Sequence, residues 1–350
     1  MKHLVSIILL SVGFGEILHV PYDYSTIQVA INTASEGDTI MVAPGIYSPL
    51  TNNEVFPIEI LTSVHLIGAS EELTVIDAQQ SGTVFIINNC ENNTISNLTI
   101  TNGLGVNGGG MIVFNSNSIF QHLTITNNTS YNNGGGIYLL ESSPLLNHIT
   151  ISHNISNNGG GIYIRSSSPI LNHLTISNNV SEEGQGIMLY NSDCILTNSI
   201  VYHNTHCHDG WCHDSIYLLG EANQPIITYN NIEGGWFGIG NIDSAPLFIN
   251  PDDSDYNLVE ESPCIDVGLV LEDIEYFGLA PDMGAYEYID GTQDLLGDLN
   301  GDEIVNVLDV VLLVDFLLIS GDFNQLADLN NDGLNNIIDV VALVNLVLNN

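Results

Sequence analysis

The sequence predicts a mainly β chain, wound as a parallel β-helix and followed by a small helical C-terminal domain. Three observations carry this. A glycine triplet followed by a short apolar strand recurs as Gly108-Gly109-Gly110-Met111, Gly134-Gly135-Gly136-Ile137, Gly159-Gly160-Gly161-Ile162 and Gly184-Gln185-Gly186-Ile187, at steps of 26, 25 and 25 residues. A second segment repeats in phase with it: Leu98-Thr99-Ile100, Leu123-Thr124-Ile125, Ile149-Thr150-Ile151 and Leu174-Thr175-Ile176. Finally, a set of Asp and Asn residues repeats thirty residues apart near the C-terminus, each time before an apolar run. A fixed period of this size marks a solenoid, whose units bury their apolar sides only against their neighbours. Short β-branched runs punctuated by Gly, Asn and Ser-Pro follow strand grammar, and the Leu-x-x-Leu-x-Leu spacing of a leucine-rich repeat is missing.

In order along the chain, residues 1–15 read as a secretory signal peptide: Lys2, an apolar run from Leu4 to Phe14, and small residues Gly13 and Gly15 at the cleavage point. No other stretch has the roughly 20 apolar residues of a membrane span. The sequence holds 41 acids against 2 bases, a formal charge of -39, and beyond the signal Arg165 is the only base. Nucleic-acid and anionic-membrane binding are excluded, since phosphate contacts need Lys and Arg. Ser25-Thr26-Ile27-Gln28 reads as a capping box opening a short helix with Ile27, Ala30, Ile31 and Ala34 on one face. Such a helix would cover the exposed first coil. Gly37-Asp38 leads into a strand over 39–42, and Ala43-Pro44-Gly45 turns the chain again.

The run from Tyr22 to Ile31, followed by Gly37-Asp38-Thr39-Ile40-Met41-Val42-Ala43-Pro44-Gly45-Ile46-Tyr47, resembles the opening of secreted bacterial right-handed β-helix proteins of the pectate-lyase-like superfamily. Asn241-Ile242-Asp243-Ser244-Ala245-Pro246, Ser262-Pro263-Cys264-Ile265-Asp266 and Asp282-Met283-Gly284-Ala285-Tyr286 resemble its closing segment, which would wrap the last coil. The resemblance implies a right-handed parallel β-helix over 16–289 and says little about reaction.

Stacked coils place like residues over like. Asn128, Asn154, Asn179 and Asn204 would form one ladder; His122, His148 and His173 would form another, read either as a metal or proton site or as a polar stack on an outer face. If Ile137 and Leu139 point inward, the outward columns are Ile112, Tyr138, Tyr163, Met188 and Phe114, Leu140, Arg165, Tyr190. An apolar, aromatic outer stripe suggests a glycan track, with Tyr138, Tyr163, Arg165 and Tyr190 as substrate-binding residues. The alternatives are that a loop or a second subunit covers the stripe, or that the inward assignment is reversed. Glu141 and Asp193 are the carboxylates the regular coils offer for hydrolysis, which needs a pair roughly 5–9.5 Å apart. Lyases of the resembled superfamily use Arg or Lys against a uronate, for which Arg165 is the one candidate. His203, His206, Cys207, His208, Asp209, Cys212, His213 and Asp214 form a cluster that reads as a Cys207–Cys212 disulfide or a transition-metal site. Five cysteines leave at least one unpaired.

After a linker over 290–297, the segment 298–350 carries the sharpest signal. Asp298, Asn300, Asp302, Asn306 and Asp309 occupy positions 1, 3, 5, 9 and 12 of a loop, with the Ile304 carbonyl at position 7; Asp328, Asn330, Asp332, Leu334, Asn336 and Asp339 repeat the set. This is the spacing by which an EF-hand loop wraps Ca²⁺. Position 12 is Asp rather than Glu, and each loop opens a helix, 307–319 and 337–348, with none before it. The duplicated loop-helix unit resembles a type I dockerin, which implies two calcium ions and a cohesin partner. Loop positions 10 and 11, where dockerins often carry hydroxyl residues, are Val307, Leu308, Ile337 and Ile338, which points to a cohesin-like partner of different character or another protein. Together these features suggest a secreted or cell-surface bacterial protein that binds polysaccharide and docks through calcium-dependent contacts. The alternative is a polysaccharide lyase or glycoside hydrolase on the same scaffold.

Overall fold

The computed structural model describes residues 15–205, 207–208, 211–212, 215–221, 223–271, 276–289, 296–299, 305–319, 325–329 and 334–349; the signal peptide expected at the N-terminus lies outside them but for Gly15. The chain divides into two compact units, Met1–Tyr288 and Ile289–Asn350.

The first unit is a parallel β-solenoid. Each coil contributes one strand to a seven-stranded sheet and a longer, bent strand to a thirteen-stranded sheet, counted over the described residues. Register is repeat on repeat: Ile137 pairs with Ile162, Ile162 with Ile187, and Ile187 with Ile216. On the other side Thr99, Thr124, Thr150 and Thr175 form a column. The alternation predicted from sequence holds: Ile137, Leu139, Ile162, Ile164, Ile187 and Leu189 are fully buried. So are Leu146, Leu171, Ile149, Leu174, Ile151 and Ile176 from the facing sheet.

The coils turn at columns of left-handed residues. Gly108, Gly134, Gly159 and Gly184 have φ of +58, +64, +63 and +60°. A Cβ on Gly134 would stand 2.3 Å from the Ile137 carbonyl oxygen, so only glycine fits. The second and third glycines face the neighbouring coil: a Cβ on Gly135 would meet the Gly160 oxygen at 2.5 Å. The other corners use the residue types that best tolerate positive φ. One runs Asn97, His122, His148, His173, Asn198 (φ +46 to +59° in this and the next two columns); another Asn102, Asn127, His153, Asn178, His203; a third Asn115, Glu141, Ser166, Asn191. The His ladder is thus a backbone corner. Its rings stack at 5.1 and 4.7 Å between centroids. Burial pulls the His148 pKa down to about 3 and that of His173 to about 4, so both are neutral.

The asparagine ladder is the polar spine of the core. Asn128, Asn154 and Asn179 are fully buried. Asn128 donates its backbone N–H and Nδ2 to Asn154 Oδ1, both at 3.0 Å, and Asn154 does the same to Asn179. Asn154 Nδ2 also donates to the Ile125 carbonyl at 2.9 Å. A serine column not read from the sequence does similar work at another corner: the N–H of Ser116 donates to Ser142 Oγ, that of Ser142 to Ser167 Oγ, and that of Ser167 to Ser192 Oγ.

The helix at the open end, α1 (Ile27–Thr33), buries Ile27, Ala30 and Ile31 as expected. Its N-cap is Thr26, however, one residue later than the capping box placed it. The cause is tertiary: buried Glu54 accepts the N–H groups of Ile27 and Gln28 at 2.7 and 3.1 Å, and the Gln28 side chain turns to Asn32 and Glu59. Residues 242–271 and 276–288 form a closing segment around Phe248, Tyr256, Leu258, Cys264 and Met283. It does more than wrap the last coil. Ala285 N–H donates to Thr175 Oγ1 at 2.9 Å, and Tyr286 reaches back to Thr150 and Glu71.

In the second unit, α2 (Val307–Ile319) and α3 (Ile337–Asn349) pack around Leu313, Ala327, Val340 and Leu343. No helix among the described residues is long and apolar enough to cross a membrane.

Two substitutions test the stacking. Asn154→Ala removes the acceptor of the Asn128 backbone N–H and Nδ2 and the side-chain donor to the Ile125 carbonyl, and should destabilise the solenoid by roughly 3 kcal/mol or more in calorimetry. Gly135→Ala, which drives a Cβ into backbone, should cost more than Asn154→Ala; a smaller loss would show that the glycine column is dispensable.

Candidate functional site

The outward stripe expected to hold glycan is largely shut. Tyr138 and Tyr163 are 7% exposed and Met188 1%, forming a small second core with Ile112, Leu140, Tyr190 and Tyr217. The Tyr138 and Tyr163 rings pack on each other, 5.5 Å apart and tilted 31°. Arg165 is exposed, but its guanidinium lies over the Tyr190 ring, 5.4 Å from the centroid, on a face a sugar would need. Ile137 and Leu139 point inward, as the alternation predicts, while Tyr138 contacts Tyr163 and Arg165 contacts Tyr190. Glu141 sits at a left-handed corner (φ +50°). Asp193 lies in a turn after Ile187–Tyr190 and accepts the Gln224 N–H. They occupy different columns, and neither lines a described cavity.

Of the His/Cys cluster, the backbone forms a hairpin, Cys207–His208 against Trp211–Cys212, with Cys207 opposite Cys212. Their side chains, and His206, Asp209, His213 and Asp214, lie outside the described residues. His203 packs edge-on against Tyr202 and Phe248, at 5.0 and 6.3 Å. Cys90, Cys194 and Cys264 are buried free thiols.

The site with chemical character lies on the other flank, where the closing segment crosses the threonine column. Thr99 Oγ1 donates to the Glu71 carbonyl at 2.6 Å, and Thr124 Oγ1 to Glu71 Oε2 at 3.1 Å. Thr150 Oγ1 donates to the Tyr286 hydroxyl at 3.2 Å, and that hydroxyl donates to Glu71 Oε2 at 3.1 Å. Identical side chains, aligned by the repeat, thus hold a carboxyl from an early coil and a phenol from the last segment, 215 residues apart. A groove of about 420 Å³ opens here, lined by Glu71, Glu72, Thr99, Thr124, Asp253 to Asn257 and Tyr286. A second hollow of about 270 Å³ shares Glu71, Glu72 and Tyr286 and adds His122 and Asn97. The larger volume falls within the range of ligand sites.

Burial pushes the Glu71 carboxyl up to about 7, helped by the charge of Glu72 and opposed by the bonds from Tyr286 and Thr124. Burial and the Glu71 charge push Tyr286 to about 12, so it remains a donor. A carboxyl that titrates near neutrality inside a cavity is a mark of acid–base function. Sequence reading missed Glu71 because nothing in Ala69-Ser70-Glu71-Glu72 foretells burial by a segment more than 200 residues away. The Thr column was the visible signal.

In the second unit, the predicted metal ligands Asp309 and Asp339 are fully buried, and Asp298 and Asp328 are 5% and 4% exposed. Asp309 Oδ1 accepts the Leu299 N–H at 2.9 Å and Oδ2 that of Asn306 at 2.8 Å, while Asn306 Oδ1 accepts from Leu308. Asp339 and Asn336 repeat the last two bonds. Positions 9 and 12 of each loop therefore also form a helix capping box. Leu334 is exposed and its carbonyl accepts from Asn336 Nδ2 at 3.3 Å. Asn300, Asp302, Ile304, Asn330 and Asp332 lie outside the described residues. The donor set is all oxygen, and no Lys or Arg occurs after Arg165 to compensate four buried carboxylates; a hard divalent cation fits it.

If Glu71 is held as described, raising pH from about 4.5 to about 8 should cost stability, because its folded value lies above its unfolded one and the unfolded state then sheds its proton more readily. Half-buried Glu287, also pushed to about 7, acts in the same direction, and neutral His148 and His173 act oppositely as pH falls below about 6.5. The Tm of Glu71→Gln relative to the parent should therefore rise with pH across that window. A flat difference would count against the buried carboxyl.

Comparison with known proteins follows the same division. Residues 65–252 match the family described as right handed beta helix region, over half of the chain, so the chain belongs to that family. Residues 296–348 match the dockerin type I domain, a module that in general binds calcium and pairs with cohesin. No curated protein matches the chain. Among solved structures, the pectate lyase Pel9A is similar at 14% identity and a TM-score of 0.38, covering 79% of this chain and 97% of its own. A pectin methylesterase in complex with a hexasaccharide is similar at 12% identity and a TM-score of 0.27, covering 71% and 94%.

Proposed function

We propose that this right-handed β-helix protein with its dockerin type I domain is an exported polysaccharide-binding component, attached by calcium-dependent docking to a cohesin-bearing partner or surface assembly. The observation that carries the reading is the groove beneath Tyr286, combining hydroxyls, amides and an aromatic ring on the flank of a rigid solenoid joined to a docking module. Hydroxyl-rich walls suit sugars, which offer many donors and acceptors and an apolar ring face. The site moves from the Tyr138–Tyr190 stripe, whose rings are occupied, to this groove. The signal-like N-terminus supports export.

On this reading the second unit holds two calcium ions, one through each of the loops headed by Asp298 and Asp328. Val307 and Leu308, with Ile337 and Ile338, are 57–68% exposed and stand at the loop positions that face a partner, so the partner's matching surface is apolar.

Affinity electrophoresis through gels containing neutral polysaccharides should retard the full-length protein. Tyr286→Ala should abolish the retardation, while Tyr190→Ala should leave it intact; the reverse pattern would return the site to the stripe. Isothermal titration should give two calcium ions per chain. Asp309→Asn, which keeps an acceptor for the cap but removes charge, should lower that to one tight ion.

A further inference from the structure

We infer that Glu71 is the proton donor of a hydrolytic site for neutral polysaccharides, with Asp255, which lines the same groove, as the base that activates water. The inference rests on the groove being where glycan binds.

Three features of the groove carry it. Glu71 is fixed on one wall by Thr124 and Tyr286, both of which donate to Oε2. The segment 253–257 also lines the groove, and there Asp255 Oδ1 is held by the N–H and Nδ2 of Asn257 at 3.1 and 2.8 Å. Glycoside hydrolysis requires two carboxyls in one cleft, and this groove supplies Glu71 and Asp255 from segments far apart in sequence. The third feature is charge. No Lys or Arg lines the groove, and four carboxyl residues do: Glu71, Glu72, Asp253 and Asp255. The sole base beyond the N-terminal leader, Arg165, lies over Tyr190. Such a cleft repels polyuronates and admits neutral chains. The shift of Glu71 toward neutrality fits the assignment, because a general acid must arrive protonated.

The step balances without a further reactant. Glu71 gives its proton to the glycosidic oxygen; the bond from the anomeric carbon to that oxygen breaks, and its electron pair stays on the leaving hydroxyl. Water adds to the anomeric carbon and its proton passes to the Asp255 carboxylate. Exchange with solvent returns the proton to Glu71. Tyr286 is a positioning residue: it holds the Glu71 carboxyl while its own proton stays in place. The charged and titratable groups facing Glu71 are Glu72 on its own segment, His122 on the neighbouring corner, and Asp253, Asp255, Tyr256 and Tyr286 on the closing segment.

The test incubates full-length protein, with calcium, against xylan, mannan, galactan, arabinan, mixed-linkage β-glucan and polygalacturonate, and follows both reducing ends and unsaturated ends. Binding to the same polymers is measured in parallel. The expected result is release of reducing ends from at least one neutral polymer and none from polygalacturonate. Glu71→Gln, which retains an acceptor for Tyr286 and Thr124, should lose about 100-fold or more in rate while its binding stays within about threefold. Asp255→Asn should lose rate similarly, and Tyr286→Phe, which removes a bond that holds the Glu71 pKa down, should move the alkaline limb of the pH profile upward. Binding without cleavage of any neutral polymer would overturn the hydrolytic assignment and leave the glycan reading standing. Neither binding nor cleavage would overturn both. Equal rates for Glu71→Gln and the parent, or unsaturated ends from polygalacturonate, would rule Glu71 out as the proton donor.

Discussion

The solenoid depends on one interaction, the hydrogen bond that each buried asparagine passes to the amide oxygen of the next coil. Burying an amide without partners costs several kcal/mol, so a column of them is tolerable only if every rung is present and in register. In this column each rung also satisfies a backbone carbonyl of the coil before it, as Asn154 does for Ile125 and Asn179 for Ile151. The glycine column beside it, broken only at Gln185, removes the Cβ atoms that would hold the coils apart: a Cβ on Gly136 would sit 2.7 Å from the Gly161 oxygen and 3.1 Å from Asn154 Nδ2. Amide ladder and glycine column together forbid slippage, since a shift of even one residue breaks both.

Strict register has a consequence for function. It converts one residue type in the repeat into a regular rail, and what a rail does depends on what lies across it. The threonine rail is generic along its length, yet its members bind four different groups: the Glu71 carbonyl, the Glu71 carboxyl, the Tyr286 phenol and the Ala285 amide. A repetitive scaffold acquires a unique site where a non-repetitive segment is laid over it. Among the described residues the tyrosine rail packs mainly on itself. Its rings close on one another and on Arg165, and become packing.

Backbone conformation explains several columns before side-chain chemistry does. The histidine column has the spacing of a ligand set, but it shares its corner with Asn97 and Asn198, and all five residues have positive φ. Histidine and asparagine recur there because they tolerate the left-handed region. Glu141 is explained by the same geometry, at the corner it shares with Asn115 and Asn191.

The sequence by itself determined the coil period, the columns of Gly, Asn, His and Thr, the inward alternation of Ile137 and Leu139, and the paired oxygen-rich loops with their helices. All of these are local or nearest-neighbour properties, written in spacing alone. Only the tertiary structure decided that Thr26 caps α1, that Tyr138 and Tyr163 are covered, and that Glu71 is half-buried against Tyr286. The first and last of those outcomes depend on which distant segment reaches a surface: Glu54 for the helix, residues 253–257 and Tyr286 for the carboxyl. A repeat fixes what each coil presents, but the contact that excludes water from it comes from outside the repeat.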